Sequence, residues 1–415
     1  MTGIQQNYYG VWLHEYRVGT LSQKGDHTRF VFDEDYLNSA NRPVLGLHFE
    51  QDLTAKHSRA LRLPEWFSNL LPEGILRDWI ARDRQVSPTR EMELLAQVGH
   101  DLPGAVRVRE IDSPTADTEQ WPEMDTSDPA GSSPPGTWKF SLAGVALKFS
   151  MLQDRDRLTL PAADQRGDWI VKLPDREFPQ VPRNEYAMMR LAALAGIDVP
   201  QVELVHRDSV DGLPETVWPT GEEWAYSIRR FDRTATRGLI HIEDLAQVRN
   251  FFPEHKYDGT FETVAALIYR NRQLADLQEF VRRLTFGVLI GNGDAHLKNW
   301  SLIYRTPTRP QLAPAYDLVS TGYYRQLSGR GEEDLALKFG GRRHFGSLSL
   351  ASFDRLDARL ARSGSLAEVA LATVRSVHAH WPRIADENLG SFPELRADIA
   401  DRIARMSRQL GASDR

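Results

Sequence analysis

The stretch FGVLIGNGDAHLKNW, Phe286 to Trp300, decides how this chain is read. An apolar run stops at Gly291-Asn292-Gly293, and the next six residues hold Asp294, His296, Lys298 and Asn299. A hydrophobic core has no use for an acid, an imidazole, an amine and an amide side by side, because each needs a partner or water. A glycine-flanked loop anchored by a buried segment can instead present them together at the mouth of a cleft.

Asn299 follows Asp294 by five positions, the spacing of a kinase catalytic loop, in which the acid orients an acceptor hydroxyl and the amide binds Mg²⁺. A second acid, Asp317 in LAPAYDLVS, comes at the end of another apolar stretch. A hard ion such as Mg²⁺ takes carboxylate and amide oxygens together with substrate phosphates, so Asn299 and Asp317 are the candidate metal ligands. Singly, either acid could merely cap a turn; the three positions in combination favour the chemical reading. Asp294-Ala-His296 also fits the D-x-H element of binuclear metallophosphatases. The GD-x-x-D and GNH segments those sites need do not follow, so His296 is read as bracing the loop or touching nucleotide phosphate.

Upstream, DWIVKLP sets Lys172 on a short apolar strand, where an amine suits the α- and β-phosphates of ATP. Glu185, at the start of the helical RNEYAMMRLAALAG, is its natural partner. FSLAGVALKFS, Phe140 to Ser150, has one glycine between strand-like flanks and Lys148 after it, so by composition it is a hairpin or a weak phosphate loop. In YSIRRFDR, backbone groups from Arg229 to Phe231 could read an adenine edge with Phe231 against the ring, or the segment is a plain buried strand.

The chain has 415 residues, a net charge of −6 and a pI near 6.1, which gives no global electrostatic case for nucleic acid. It has no cysteine, which excludes disulfides, thiol catalysis and Cys-ligated zinc. No signal peptide or membrane-spanning run is expected, so the location expected is the cytoplasm. Short alternating runs between residues 8 and 50 predict a small antiparallel sheet, followed by helices in LPEWFSNLLPEGILRDWIARD and TREMELLAQVG. Residues 111–137, rich in Pro, Ser, Asp and Gly, read as a linker. Strands and the helix ending at Gly196 come next, then helices from Ile242 onward, and the chain is essentially all helical after residue 350. The fold class expected is α+β.

With these segments in order, the chain resembles the HipA family of bacterial toxin kinases. The resemblance is carried by LLPEGILRDWIARD, SLAGVALK, IVKLP, NEYAMMRLAALAGIDVP, RRFDR, IEDLAQV, GNGDAHLKNWSLI and PAYDLVST. It implies a protein-kinase-like fold of the lipid-kinase-related branch, with a small β-rich N-terminal subdomain and a mostly helical C-terminal lobe. The bounds expected are 1–110 for that subdomain, 111–137 for the linker, 138–240 for the part with phosphate loop, lysine strand and hinge, and 241–415 for the helical lobe.

The resemblance further implies an ATP- and Mg²⁺-dependent serine/threonine protein kinase, the toxin of a type II toxin–antitoxin module. Asp294 would be the catalytic acid, and Asn299 and Asp317 the metal ligands. Ala143, Gly144, Val145, Ala146, Leu147 and Lys148 would form the phosphate loop, and Lys172, paired with Glu185, would hold phosphates. Arg229, Arg230 and Phe231 would form the hinge, with His296 and Tyr316 lining the nucleotide. Ser141 stands at the family's autophosphorylated position, with Ser150 an alternative. Ala146 replaces the family's usual Gln, and Arg229 stands where an acidic or neutral residue is common.

The partners implied are a HipB-like helix-turn-helix antitoxin, operator DNA bound with it, and a protein substrate. The best candidate substrate is an aminoacyl-tRNA synthetase such as the glutamyl enzyme, whose phosphorylation would cause growth arrest or persistence. Two alternatives are a transcriptional co-repressor whose arginines, including Arg342 and Arg343, face DNA, and a small-molecule kinase of the same fold.

Overall fold

The structure is a computed structural model and describes residues 6–113, 147–154, 157–161, 165–213, 217–218, 221–329, 334–360, 362, 364 and 366–411. Ser141, Ala143, Gly144, Val145 and Ala146 lie outside the described residues, as does nearly all of the expected linker.

The N-terminal module is an antiparallel five-stranded sheet in the order His57–Ala60, His27–Phe32, Tyr16–Lys24, Gln6–Leu13, Val106–Ile111. Alternation and register put Val11, Leu13, Leu21 and Phe30 on one face, and Val18, at the bulge where the pairing shifts, is buried with them. Trp66 and Phe67 close that face from the helical turn Glu65–Ser68, and Phe30, Phe49, Trp66 and Phe67 form an aromatic core. The helical pattern expected from Leu63 to Asp83 is broken in two. Helix Gly74–Asp83 starts afresh after Pro72 and Glu73, because Pro72 cannot continue a helix and Gly74 turns the chain with φ +56.

A second sheet runs Val210–Asp211, Arg157–Thr159, Lys148–Asp154, Trp169–Lys172, Trp224–Arg229, Val202–His206. Its register sets Lys148 opposite Lys172, and Lys172 opposite Tyr226, so these three side chains share one face. Helix Val181–Leu194 packs behind it through Met188, Met189 and Leu191. It stops at Gly196, φ +79, with the N–H of Ile197 returning to the carbonyl of Ala192.

One expectation is corrected here: the chain is not helical from Ile242. His241–Asp244 is a strand in a small sheet with Ser301–Tyr304 and Gln311–Leu312. The helical lobe is built on Leu274–Ile290, against which Leu366–Leu389 and Pro393–Gln409 pack through Val374, Val377, Ile384 and Ile399. Among the described residues no helix is long and apolar enough to cross a membrane.

Buried polar groups fasten the N-terminal module to the rest. Arg230 and Arg233 are ion-paired with Asp101 and Asp232 at 2.7–3.0 Å, and Asp232 also accepts from the N–H of Gly104 at 2.8 Å. Glu243, fully buried, accepts from the N–H of Leu47 at 3.0 Å, the indole N–H of Trp66 at 3.2 Å and the Tyr304 hydroxyl.

Candidate active site

Helix Leu274–Ile290 must end sharply to free the loop that follows. Gly291 adopts φ +71, which lets the N–H of Asn292 reach the carbonyl of Gly287 at 2.8 Å. A Cβ at this position would lie 2.2 Å from Arg402 Nε, so both backbone and packing require glycine. Beyond it, Asn292 Oδ1 accepts from the N–H of Asp294 at 3.0 Å, and Nδ2 donates to the carbonyl of Asp317 at 3.3 Å. The Thr321 hydroxyl accepts from the N–H of Gly293 at 2.8 Å and donates to the carbonyl of Gly291 at 3.0 Å. These bonds tie the Asp294 loop to the Asp317 segment.

Asp294 is buried, and its carboxylate accepts from the Tyr257 hydroxyl. Asn299 Nδ2 donates to the carbonyl of Asp294 at 2.8 Å, which turns its amide oxygen outward as an acceptor. His296 is 2% exposed and packs edge-on against Tyr257, with ring centroids 5.1 Å apart. Neither of its ring nitrogens has a hydrogen-bond partner. Burial depresses its pKa against the pull of Asp294, so the imidazole is neutral at pH 7.

Asp317 sits at φ +56, a left-handed conformation that a short polar residue tolerates at some cost and that marks functional sites. Lys172 Nζ donates to Glu185 Oε1 at 2.6 Å and to Asp317 Oδ1, joining three segments of the chain. Burial works against the Lys172 charge, but Asp317 and Glu185 outweigh it and raise the amine's pKa. Burial also opposes ionisation of Asp317, yet Lys172 and Lys148 hold it at about 2. For Glu185 burial prevails over Lys172, and its pKa is pushed up to about 7. The neighbouring Lys148 is depressed by burial.

Asp294, Asn299, Asp317, Lys148, Lys172 and Glu185 line one small cavity. It adjoins a cleft of about 450 Å³ that also takes in His296, Tyr316, Phe231 and Ile228. The Phe231 and Tyr316 rings lie 5.6 Å apart at 30°, forming an aromatic end to the cleft. Tyr316 is fixed by its hydroxyl, which donates to the carbonyl of Lys298 at 2.8 Å. Of the expected phosphate loop only Leu147 and Lys148 are described. Leu147 accepts at its carbonyl from the N–H of Leu173 at 2.9 Å, and Lys148 opens its strand.

Several residues are engaged differently from the expectation. Arg230 touches the cleft, but its guanidinium is consumed by Asp101, Asp232 and the carbonyl of Leu102. Ser150 donates to Asp101 at 2.7 Å and accepts from Arg230 at 3.0 Å. Arg229 donates its backbone N–H to the carbonyl of Gln201 at 2.9 Å. Arg343 turns inward onto the carbonyls of Ala336 and Tyr257, the latter at 3.0 Å, while Arg342 is exposed.

Sequence reasoning missed Tyr257, Asn292, Thr321 and Glu73. Tyr257 lies in a polar loop with no motif spacing, whereas Asn292 and Thr321 lie inside GNGDAHLKNWSLI and PAYDLVST but bond across segments far apart in sequence, which no local pattern shows. Glu73 had a signal, an acid isolated between Pro72 and Gly74 in an apolar segment.

Comparison with known proteins adds to this geometry. A family model described as the HipA-like C-terminal domain matches residues 140–381, and one described as the HipA N-terminal domain matches residues 9–109. The Sinorhizobium fredii protein Y4dM, provisionally named a kinase, is 42% identical over 405 residues, 95% of this chain and 94% of its own. The serine/threonine-protein kinase toxin HipA of Shewanella oneidensis is 25% identical over 380 residues, 82% of this chain and 81% of its own. Among solved structures, a chain from the Shewanella oneidensis complex of HipA, HipB and operator DNA shares the fold. Its TM-score is 0.71 at 22% identity, with 97% of this chain and 96% of that one covered.

Proposed function

The chain belongs to the HipA family of kinase toxins, and from that premise we propose that it is an ATP- and Mg²⁺-dependent serine/threonine protein kinase. What carries the reading is the convergence of the Asp294–Asn299 loop, Asp317 and Lys172, which come from three separate segments, on one cavity. A nucleotide fits the residues present, since His296 offers the cleft a buried imidazole with two unpartnered nitrogens. Mg²⁺ fits as well: among the described residues no group of three or more acids and histidines forms a closed metal site, and one carboxylate plus one amide is the sparse set Mg²⁺ takes when phosphates complete its shell. Bound there by Asn299 and Asp317, the ion supplies charge neutralisation on the phosphates.

In this reading Phe231 and Tyr316 flank the base, and Lys172, steadied by Glu185, faces the phosphates. His296 braces the loop against them. Asp294 orients the acceptor hydroxyl and takes its proton. The hydroxyl oxygen forms its bond to the terminal phosphorus as the bond to the bridging oxygen breaks, and ADP leaves with the electron pair. Catalysis is then mostly placement and preorganised charge.

By analogy with the family, the acceptor is a protein serine or threonine, with an aminoacyl-tRNA synthetase, the glutamyl enzyme first, as target. The same analogy gives a cytoplasmic toxin held by a helix-turn-helix antitoxin and, with it, operator DNA. By the same analogy Ser141 is the autophosphorylated residue, and a phosphoserine dianion in the family's phosphate loop would repel ATP phosphates, which gives an off-switch a physical basis. The test is transfer from labelled ATP with Mg²⁺ to the protein itself and to lysate proteins. Asp294→Asn should lower it roughly a thousandfold without changing the melting midpoint. No transfer by the intact protein would overturn the proposal, and transfer to small molecules alone would make it a small-molecule kinase.

A further inference from the structure

The kinase reading leaves Glu73 without a role. It belongs to the N-terminal module and occupies the residue before helix Gly74–Asp83, yet its side chain makes no capping bond to that helix. It reaches across the cleft instead. Oε2 accepts from Lys256 Nζ at 2.8 Å, and Oε1 stands 3.4 Å from Lys298 Nζ. Asn69 completes the hold on Lys298, accepting through its carbonyl at 2.9 Å and its side-chain oxygen at 3.0 Å, and Asp244 stands 3.1 Å away. Lys256 is itself tied to the catalytic loop, because its carbonyl accepts from the N–H of Leu297 at 3.0 Å. Glu73, Lys256 and Lys298 line the same cleft as Asn299 and Asp317.

Docking of the modules does not depend on this cluster, since the Asp101–Arg230–Asp232–Arg233 and Glu243 contacts already achieve it. Glu73 is the most exposed member of this largely buried cluster, and Asp244 and Asn69 still hold Lys298 without it, so losing its charge costs less than breaking a fully buried pair. A lysine on a flexible four-carbon stem does, however, need outside help to hold its charge in one place. Preorganised charge is effective only when it is fixed to within about half an ångström.

We propose that Glu73, with Asn69, is a positioning residue of this active site: by holding the amines of Lys298 and Lys256 it fixes the loop that carries Asp294 and Asn299. The N-terminal module thus supplies part of the working cleft. The proposal deepens the kinase reading and rests on it. Glu73 and Asp244 balance Lys256 and Lys298 charge for charge, and burial of Glu73 is outweighed by the two amines, which keep it ionised. Without Glu73, Asn69 and Asp244 alone hold the Lys298 amine, and the placement of the loop loosens.

The experiment measures initial rates of transfer from labelled ATP by the full-length protein. Glu73→Gln is expected to lower kcat about 10- to 100-fold with KM for ATP within about threefold, and Glu73→Asp to recover part of the loss. The melting midpoint should stay within about 2 °C. Lys298→Met should lose a similar factor, and Glu73→Gln added to it should cost less than about threefold more, because both changes remove one device. Unchanged kcat in Glu73→Gln, a loss that follows a lowered melting midpoint, or multiplicative losses in the double variant would each overturn the proposal. An inactive wild-type protein would instead refute the kinase reading, and this proposal with it.

Discussion

Replacing Glu243 by Gln should reverse the sign of a stability difference between acid and alkaline pH. The carboxyl is fully buried, and desolvation pushes its pKa up to about 7 despite donors from Tyr304, Leu47 and Trp66. In the unfolded chain it titrates near 4.5. Because the folded state binds this proton more tightly, the contribution is complete below pH 4.5, shrinks as pH rises and is gone above pH 7. A shift of roughly 2.5 units corresponds to about 3 kcal/mol.

Gln carries no charge at any pH, so this dependence disappears. Its oxygen can still accept from Leu47 and Tyr304, but its amide nitrogen must face the Trp66 indole N–H, 3.2 Å from Oε2 in the wild type. That donor-on-donor contact costs about 1 kcal/mol. The variant should therefore melt below the wild type at pH 4 and above it at pH 9. The crossing is worth about 3 kcal/mol in all, or a few °C in a chain of this size. Scanning calorimetry on both proteins at pH 4, 7 and 9 reads the difference directly, and titrating groups remote from Glu243 cancel. Melting differences that stay parallel across the range would refute the reasoning.

Glu185 should govern the acid side of the activity profile. With its carboxyl at about 7, protonation weakens its hold on Lys172, so transfer should fall below pH 7, and Glu185→Gln should flatten that limb while lowering the rate at pH 8. Gly291→Ala should destabilise by about 2–4 kcal/mol, since it adds a left-handed penalty to a Cβ thrust against the buried Arg402. Thermal unfolding measures that loss, and transfer should drop with it because the Asp294 loop begins at this residue.

What the sequence could disclose depended on how local the cause was. The end of the helix at Gly196 and the break at Gly291 rest on a left-handed glycine and the apolar run before it, and both are readable from a few residues. Lys172, Glu185, Asp294, Asn299 and Asp317 could be singled out because polar groups ending apolar runs are costly unless used. Strand His241–Asp244 escaped for the opposite reason. It is four residues long and turns His241 and Glu243 inward, so its pattern is inverted relative to an ordinary half-buried strand. Strand Ser301–Tyr304 is buried throughout and too short for periodicity to decide. Arg230 was assigned to the nucleotide because its partner Asp101 lies 129 residues away, and no local signal reveals such a pairing.

The interlock of carboxylates and guanidinium groups between the two modules has a further consequence. Neither half has a finished surface of its own: one would bare Asp101 and Trp66 to solvent, the other Arg230, Arg233 and Glu243. Covalent continuity is then secondary to mutual fit, and residues 1–113 and 138–415 made as separate polypeptides in one cell should assemble into a single particle. On the proposed kinase reading, activity belongs to that pairing rather than to the larger fragment, because trimming the chain would remove Asn69, Glu73 and Trp79 from the wall of the cleft that takes in Asn299 and Asp317.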